Sequence, residues 1–233
     1  MLGSGNDMLA GVLFSGGKDS CLALHIASEQ HEIACMLTVF SKNPESFMFH
    51  TANIEVTRLQ AKAMGVTQLT VKTAGKKEKE LEDLKALIEM AYKKFGIKAI
   101  VSGAIASRYQ ATRIEETCKK LGLSYINPLW GMDQLDILKA VLEKKFEVII
   151  TAIAAYPLDE SWLGRRIDAK AVDELEEMRE KFRINPAGEG GEFETLVLDA
   201  PMFKSRIKIV ESEKYYKNNA GILRIKKALL VKK

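Results

Sequence analysis

The chain has 233 residues and a formal net charge of +4, with 47% hydrophobic and 28% charged residues, the proportions of an ordinary globular protein large enough for one domain and a smaller appendage. No apolar run is long enough to span a membrane, and no basic region followed by an apolar core opens the chain, so neither a membrane anchor nor a secretory signal is expected. Three scattered cysteines (Cys21, Cys35, Cys118) without a C-x-x-C pair fit a reducing, cytoplasmic setting and exclude a disulfide framework or a structural zinc, while the charge is too mild to mark a nucleic-acid binder.

In chain order, Met8 to Phe14 is a continuous apolar run that predicts a buried strand, and Cys21 to Ala27 predicts a helix. Ile33 to Phe40 predicts a second strand, Ile54 to Met64 a helix stopped by Gly65, and Leu69 to Val71 a short strand. Leu81, Leu84, Ile88, Tyr92 and Phe95 recur at helical spacing over Lys76 to Phe95, with Gly96 as the stop. Ala99 to Val101 is a strand, Arg108 to Leu121 a helix closed by Gly122, Leu123 to Ile126 a strand, Asp133 to Lys145 a helix, and Val148 to Ala154 the last buried strand. Apolar strands alternating with helices predict an α/β fold, a doubly wound parallel sheet. After Trp162-Leu163-Gly164 and a helix over Asp168 to Lys181, the chain turns glycine-rich and β-like, with strands over Glu192 to Leu198, Ser205 to Glu211 and Ile222 to Leu230. The division this implies is 1–155 and 156–233, the second a smaller α+β part packed to close a crevice of the first.

Ser15-Gly16-Gly17-Lys18-Asp19-Ser20 fills the turn from first strand to first helix. Adjacent glycines let the backbone approach a ligand, and the first N–H groups of a helix lack intrahelical partners, so the turn suits a phosphate. Lys18 adds a mobile cation, Ser15 and Ser20 add hydroxyls, and the Asp19 carboxylate makes sense beside phosphates when Mg²⁺ is shared between them. A Walker A loop would need Gly at Val12 and Ser or Thr at Asp19, and a dinucleotide fingerprint would need separated glycines; neither is present. The hexapeptide resembles the PP-loop of the N-type ATP pyrophosphatases at all six S-G-G-x-D-S positions, which implies a grip on the β,γ-pyrophosphate of ATP and attack by an acceptor at the α-phosphorus. Ligands in such sheets bind beyond the carboxyl ends of the strands, so the loops Ser15 to Ser20, Ser41 to Thr51 and Ser102 to Gln110 should share a crevice.

The second informative stretch is Gly188-Glu189-Gly190-Gly191-Glu192-Phe193-Glu194-Thr195. Glu192 and Glu194, two apart where a strand begins, share a face with Phe193 on the other. Neighbouring like charges need a cation, a proton or a buried donor, so these carboxylates can hold an ammonium or deprotonate an amine, or else form a hydrated acidic turn.

Taken together, the two stretches resemble the diphthine–ammonia ligases, PP-loop enzymes that finish diphthamide on elongation factor 2. The resemblance extends through Asn43-Pro44-Glu45-Ser46-Phe47-Met48-Phe49-His50-Thr51, Ser102 to Ser107, Tyr109-Gln110, Arg113-Ile114-Glu115, Pro128-Leu129-Trp130 and Asp159 to Gly164, and is weakest before Met8 and from Met202 onward. It implies an adenine nucleotide alpha hydrolase-like fold and ATP-dependent amidation of diphthine by free ammonia through an acyl-adenylate, releasing AMP and pyrophosphate. The implied phosphate and cofactor residues are Ser15, Gly16, Gly17, Lys18, Asp19 and Ser20, with Asp19 toward Mg²⁺, Gly103 near ribose or adenine, and His50 capping the nucleotide. The implied catalytic set is Lys18, Asp19, Glu189, Glu192 and Glu194. The partners are elongation factor 2 and ammonium, with RNA binding not expected.

Two other readings stay open at this level: a PP-loop ligase or thiolase acting on tRNA, and a nucleotide sensor without turnover. The ten Lys and Arg between Pro201 and Lys233, against Glu211 and Glu213, favour the first weakly and suit a lysine-guarded sheet edge equally well. Cys21 reads as a buried structural thiol, and His25 and His31 as no metal site.

Overall fold

A computed structural model of the chain describes residues 7–41, 53–75 and 77–233. The elements run β1 (Leu9–Leu13), α1 (Lys18–Ser28), β2 (Glu32–Ser41), α2 (Thr57–Met64, preceded by a 3-10 turn at Ile54–Val56), β3 (Thr67–Thr73), α3 (Lys77–Phe95), β4 (Ala99–Val101) and α4 (Arg108–Lys120). They continue as β5 (Ser124–Ile126), α5 (Gln134–Glu143), β6 (Glu147–Ile153), α6 (Ala169–Phe182), β7 (Phe193–Asp199), β8 (Ser205–Lys217) and β9 (Ala220–Lys232). Two compact units form: Met1–Ser15, Asp19–Thr51 and Val66–Trp130 in the first; Gly16–Lys18, Ala52–Gly65 and Gly131–Lys233 in the second.

The first unit holds a five-stranded parallel sheet in the order β3-β2-β1-β4-β5. The chain leaves β1 for β2 and β3, then returns to the other side of β1, so the order reverses between β1 and β4 and the loops that follow them diverge there. Leu84, Leu87, Ile88 and Ala91 form the buried stripe of α3 and pack with Leu37, Ile97 and Ile100 in one core. Each fully buried Leu or Ile contributes about 1.5–3 kcal/mol of transfer free energy. Tyr92, expected in that stripe, is exposed instead, because Leu87 and Ala91 complete the apolar face.

The second unit holds a four-stranded sheet in the order β7-β6-β9-β8. Here one expectation is corrected. The run Val148 to Ala154, read as the last strand of the parallel sheet, is β6, and it pairs antiparallel with β7 and β9. A central strand is covered on both faces in either kind of sheet, so an apolar run alone does not tell the two apart. β8 and β9 are longer than expected and meet at Asn218-Asn219, whose φ of 53° and 60° are those of a two-residue type I′ hairpin. Asp133 and Asp168 cap α5 and α6 through Leu135 N–H and Ala171 N–H, each at 2.8 Å.

Candidate active site

Within the first unit, β1 ends at Leu13 and the helix begins three residues earlier than its apolar residues suggest, so Asp19 and Ser20 lie in the opening turn of α1. Ser15 N–H and Ser15 Oγ both reach Ser20 Oγ, at 3.3 and 3.2 Å, which ties the two ends of the hexapeptide together. Gly103, just beyond β4, rests on the same turn: a Cβ there would lie 2.7 Å from the Asp19 carbonyl carbon and oxygen. The Ser15 and Ser102 loops therefore meet, as the position of the sheet reversal requires. Ser102 Oγ and the Tyr125 hydroxyl share a hydrogen bond of 2.6 Å at that edge. His50 and the rest of the loop after Ser41 lie outside the described residues. Cys21 is buried, and its thiol is pushed well above the ordinary range by burial first and by the Asp19 charge second, so it is a structural thiol.

Within the second unit, Gly16, Gly17 and Lys18 lie beside β7. Gly16 O accepts from Val197 N–H at 3.0 Å, and Lys18 N–H donates to Thr195 Oγ1 at 3.1 Å. Gln60, in α2 and without exposed surface, donates through Nε2 to both Gly16 O and Val197 O at 2.8 Å. Gly16 has φ 82°, and a Cβ on it would meet Gln60 Oε1 at 2.3 Å, so only glycine fits. The Lys18 side chain is 2% exposed, donates from Nζ to Ala187 O at 2.5 Å, and faces the Phe193 ring at 5.6 Å. Lys18 of the Ser15 to Ser20 turn is thus joined directly to Thr195 of the Gly188 to Thr195 string and to Ala187 just before it.

Glu192 Oε1 accepts from Asn185 N–H at 3.1 Å, while Glu192 Oε2 is buried without a hydrogen-bond partner. A buried carboxylate oxygen without a donor is an exception that a bound water, an ammonium or an N–H of a substrate would relieve. Glu189 and Glu194 are half-buried nearby in the chain, Glu194 opposite Ala152 of β6. Among the described residues no group of three or more His, Cys, Asp or Glu could hold a metal ion. A single carboxylate at a phosphate loop, as Asp19 provides, still fits Mg²⁺, which binds through one or two carboxylates together with substrate phosphates and waters. No helix among the described residues is long and apolar enough to cross a membrane.

Gln60, Thr195 and the Ala187 carbonyl are the site groups that the sequence reading misses. A polar residue on the buried face of α2, beside Thr57 and Ala61, is the one signal that marks Gln60.

Two family models match the chain: the diphthamide synthase N-terminal domain over residues 8–125 and the diphthamide synthase C-terminal domain over residues 133–231. A diphthine–ammonia ligase of Schizosaccharomyces pombe is 35% identical over 218 residues, covering 86% of this chain and 36% of its own length. Diphthine–ammonia ligases of Bos taurus and Homo sapiens are 32% identical over 226 and 229 residues, each covering 88% of this chain and 84% of their own. The chain therefore spans about a third of the fission-yeast relative and most of the mammalian ones. A solved structure from Methanocaldococcus jannaschii, described as a predicted subunit of tRNA methyltransferase, aligns over 83% of this chain with TM-score 0.44 and 18% identity, too loosely to carry an argument. By the match along nearly its whole length, the chain belongs to the diphthamide synthase family, the family of the diphthine–ammonia ligases.

Proposed function

We propose that this protein is an ATP-dependent ligase that converts the carboxylate of diphthine on elongation factor 2 to the amide of diphthamide. The observation that carries the reading is the pair of diphthamide synthase matches, which bring the Ser15 loop and the Gly188 to Thr195 string under one family with named ligases. The direct contacts of Lys18 with Ala187 and Thr195 support it, because they join the element suited to phosphate to the element suited to an amine.

The chemistry needs two steps. A diphthine carboxylate oxygen attacks the α-phosphorus of ATP, the bond from that phosphorus to the β-phosphate bridge breaks, and pyrophosphate leaves. Ammonia then attacks the acyl carbon, the bond to the adenylate oxygen breaks, AMP leaves, and the nitrogen gives up a proton. Gly16, Gly17, Ser15, Ser20 and the first N–H groups of α1 neutralise phosphate oxygens together with Lys18, and Asp19 would hold Mg²⁺, which supplies further charge neutralisation. Gly103 keeps the nucleoside side of the loop free of side-chain atoms. Glu192, with an unpartnered buried oxygen, is the foremost proton acceptor, with Glu189 and Glu194 beside it in sequence.

The test is to incubate the protein with Mg-ATP, ammonium and diphthine-bearing elongation factor 2, omitting each in turn, and to follow AMP by chromatography and the factor by mass spectrometry. AMP formation that depends on the factor, with conversion of its carboxylate to an amide, is expected. Lys18→Ala should lower AMP formation by at least about a hundredfold, the loss typical of a removed charge-stabilising donor. Glu192→Gln should keep ATP binding and lose amide formation. AMP made with RNA in place of the factor, or ATP bound without turnover, would refute the reading.

A further inference from the structure

The side-chain amide of Asn127 is left unused by its own fold. Both of its polar atoms, Oδ1 and Nδ2, are buried without a hydrogen-bond partner. Burying a donor and an acceptor unpaired is costly, so such an amide marks the place of a ligand that offers an acceptor and a donor in return.

Its surroundings lie wholly within the first unit. Asn127 follows Ile126, the last residue of β5, and Ser102 N–H donates to Ile126 O at 3.0 Å, so the amide stands at the carboxyl end of the parallel sheet, where β4 and β5 finish together. The Ser102 hydroxyl is engaged with the Tyr125 hydroxyl at 2.6 Å. Gly103, the next residue, rests on the head of α1, where a Cβ would lie 2.9 Å from Ser20 N. Since β1, β4 and β5 are neighbours in that order, the end of β5 is two strand spacings, roughly 10 Å, from the end of β1. A nucleotide with its phosphates at the Ser15 turn and an acyl group on its α-phosphorus crosses that gap.

The same turn offers an aromatic face. Asn127 O accepts from Trp130 N–H at 3.2 Å, closing a turn with Pro128 at its second position, and Trp130 is 45% exposed. Tyr92, also exposed in this unit, lies near the end of α3 that leads into β4, at the opposite end of the sheet.

We propose that the turn Asn127–Trp130 holds the reacting carbon of the acceptor. This rests on the amidation reading above and adds to it the groups that bind diphthine and aim ammonia. Diphthine carries its reacting carboxylate on a carbon that also bears a trimethylammonium group, which has no N–H to donate and takes an aromatic face as its partner, here the Trp130 indole. Asn127 Nδ2 donates to the carboxyl oxygen that is not bound to phosphorus, and Oδ1 accepts an N–H of the incoming ammonia. As the C–N bond forms, that carboxyl oxygen becomes an oxyanion held by Nδ2; the bond to the adenylate oxygen then breaks, AMP leaves, and the nitrogen sheds its extra proton to a base. Asn127 orients both atoms and takes no proton itself.

Two sets of measurements test this. Asn127→Leu removes two unpaired buried groups, so it should raise the thermal midpoint of the free protein, the opposite of what loss of a structural contact would do. In amidation assays it should raise the KM values for elongation factor 2 and for ammonium at least about tenfold, and leave the KM for ATP within about twofold. Trp130→Leu should raise the KM for the factor about tenfold, and Trp130→Phe should restore most of it. A lower midpoint for Asn127→Leu with unchanged KM values overturns the proposal, and so does a rise in the KM for ATP larger than that for the factor, which would assign the turn to a purine. The second set is free of turnover: glycine betaine, a carboxylate and a trimethylammonium on one carbon, should change the indole emission of the wild type and do so more weakly in Asn127→Leu, whereas the uncharged-head analogue 3,3-dimethylbutanoate should not. That response in a wild type that makes no amide would leave the site standing and refute the amidation reading instead; neither response nor amide would refute both.

Discussion

Gln60 uses both hydrogens of its amide nitrogen on the backbone carbonyls of Gly16 and Val197, from a side chain with no exposed surface. Removing a buried donor leaves its acceptors short and costs about 1–3 kcal/mol. Gln60→Leu should therefore lower the urea midpoint by a corresponding amount, and it should raise the KM for ATP more than it changes kcat, because Gly16 loses an anchor while Lys18 is untouched. An unchanged KM with the same loss of stability would reduce Gln60 to packing. Gly16→Ala meets two obstacles, a positive φ and Gln60 Oε1 at 2.3 Å from the new carbon, and Gln60→Ala relieves only the second. The double variant should thus lose less than the sum of the two singles. The sequence marks Gln60 only as a polar residue on the buried face of α2 and does not show what it holds, since its partner Gly16 lies 44 residues earlier. The hexapeptide and the glutamate string are legible because their chemistry is local, whereas the groups that position them are joined through the fold.

At the scale of elements, the periodic stretches fall within a few residues of their expected bounds, α3 and β4 among them, because their burial patterns are strong and glycines end them. The limits of such a reading appear at β6, where burial on both faces hides strand direction, and in the β8–β9 hairpin. The hairpin is largely exposed, so its alternation fades, and the Asn218-Asn219 turn is the signal that could have extended both strands. Tertiary ties escape the pattern too. Arg165 holds Glu174 of α6 through two hydrogen bonds of 2.6 and 2.8 Å and stacks over Trp162 at 4.2 Å. That hydrogen bonding, more than the Arg165 charge alone, keeps the Glu174 carboxyl below the usual carboxylate range. Its folded pKa is depressed, so its stabilisation is present above the unfolded value near ~4.3 and is lost as pH falls through the folded one. Since both side chains are partly exposed, the effect stays below about 1 kcal/mol. Urea midpoints should place Glu174→Gln below wild type at pH 7, with the gap closing in acid below the unfolded pKa; a gap that stays constant would show that the pair makes no contribution through its charge.

For the whole molecule, the second unit is assembled from three separated stretches of chain. Asn53 donates to Leu223 O at 2.9 Å and accepts from Ile225 N–H at 2.8 Å, and Lys204 N–H reaches Ala63 O at 2.7 Å. A fragment of residues 131–233 would carry the four strands of this sheet without α2, Asn53 or the loop residues that line β7. Expressed alone, it should give no cooperative thermal transition by circular dichroism, although a family model covers nearly all of it. A sharp transition would mean that α2 and the loop are accessories of the unit and not parts of it.

The bond from Lys18 to Thr195 has a consequence in time. It spans 177 residues, and at about 5–20 residues per second a ribosome needs roughly 10–35 s to add that much chain. Through that interval the nascent protein displays a complete S-G-G-x-D-S sequence with neither the Thr195 hydroxyl nor the Val197 amide to set its backbone. The backbone of that turn is thereby set only once β7 has been made, and a chain that stalls before it carries the six letters of the turn but not their shape.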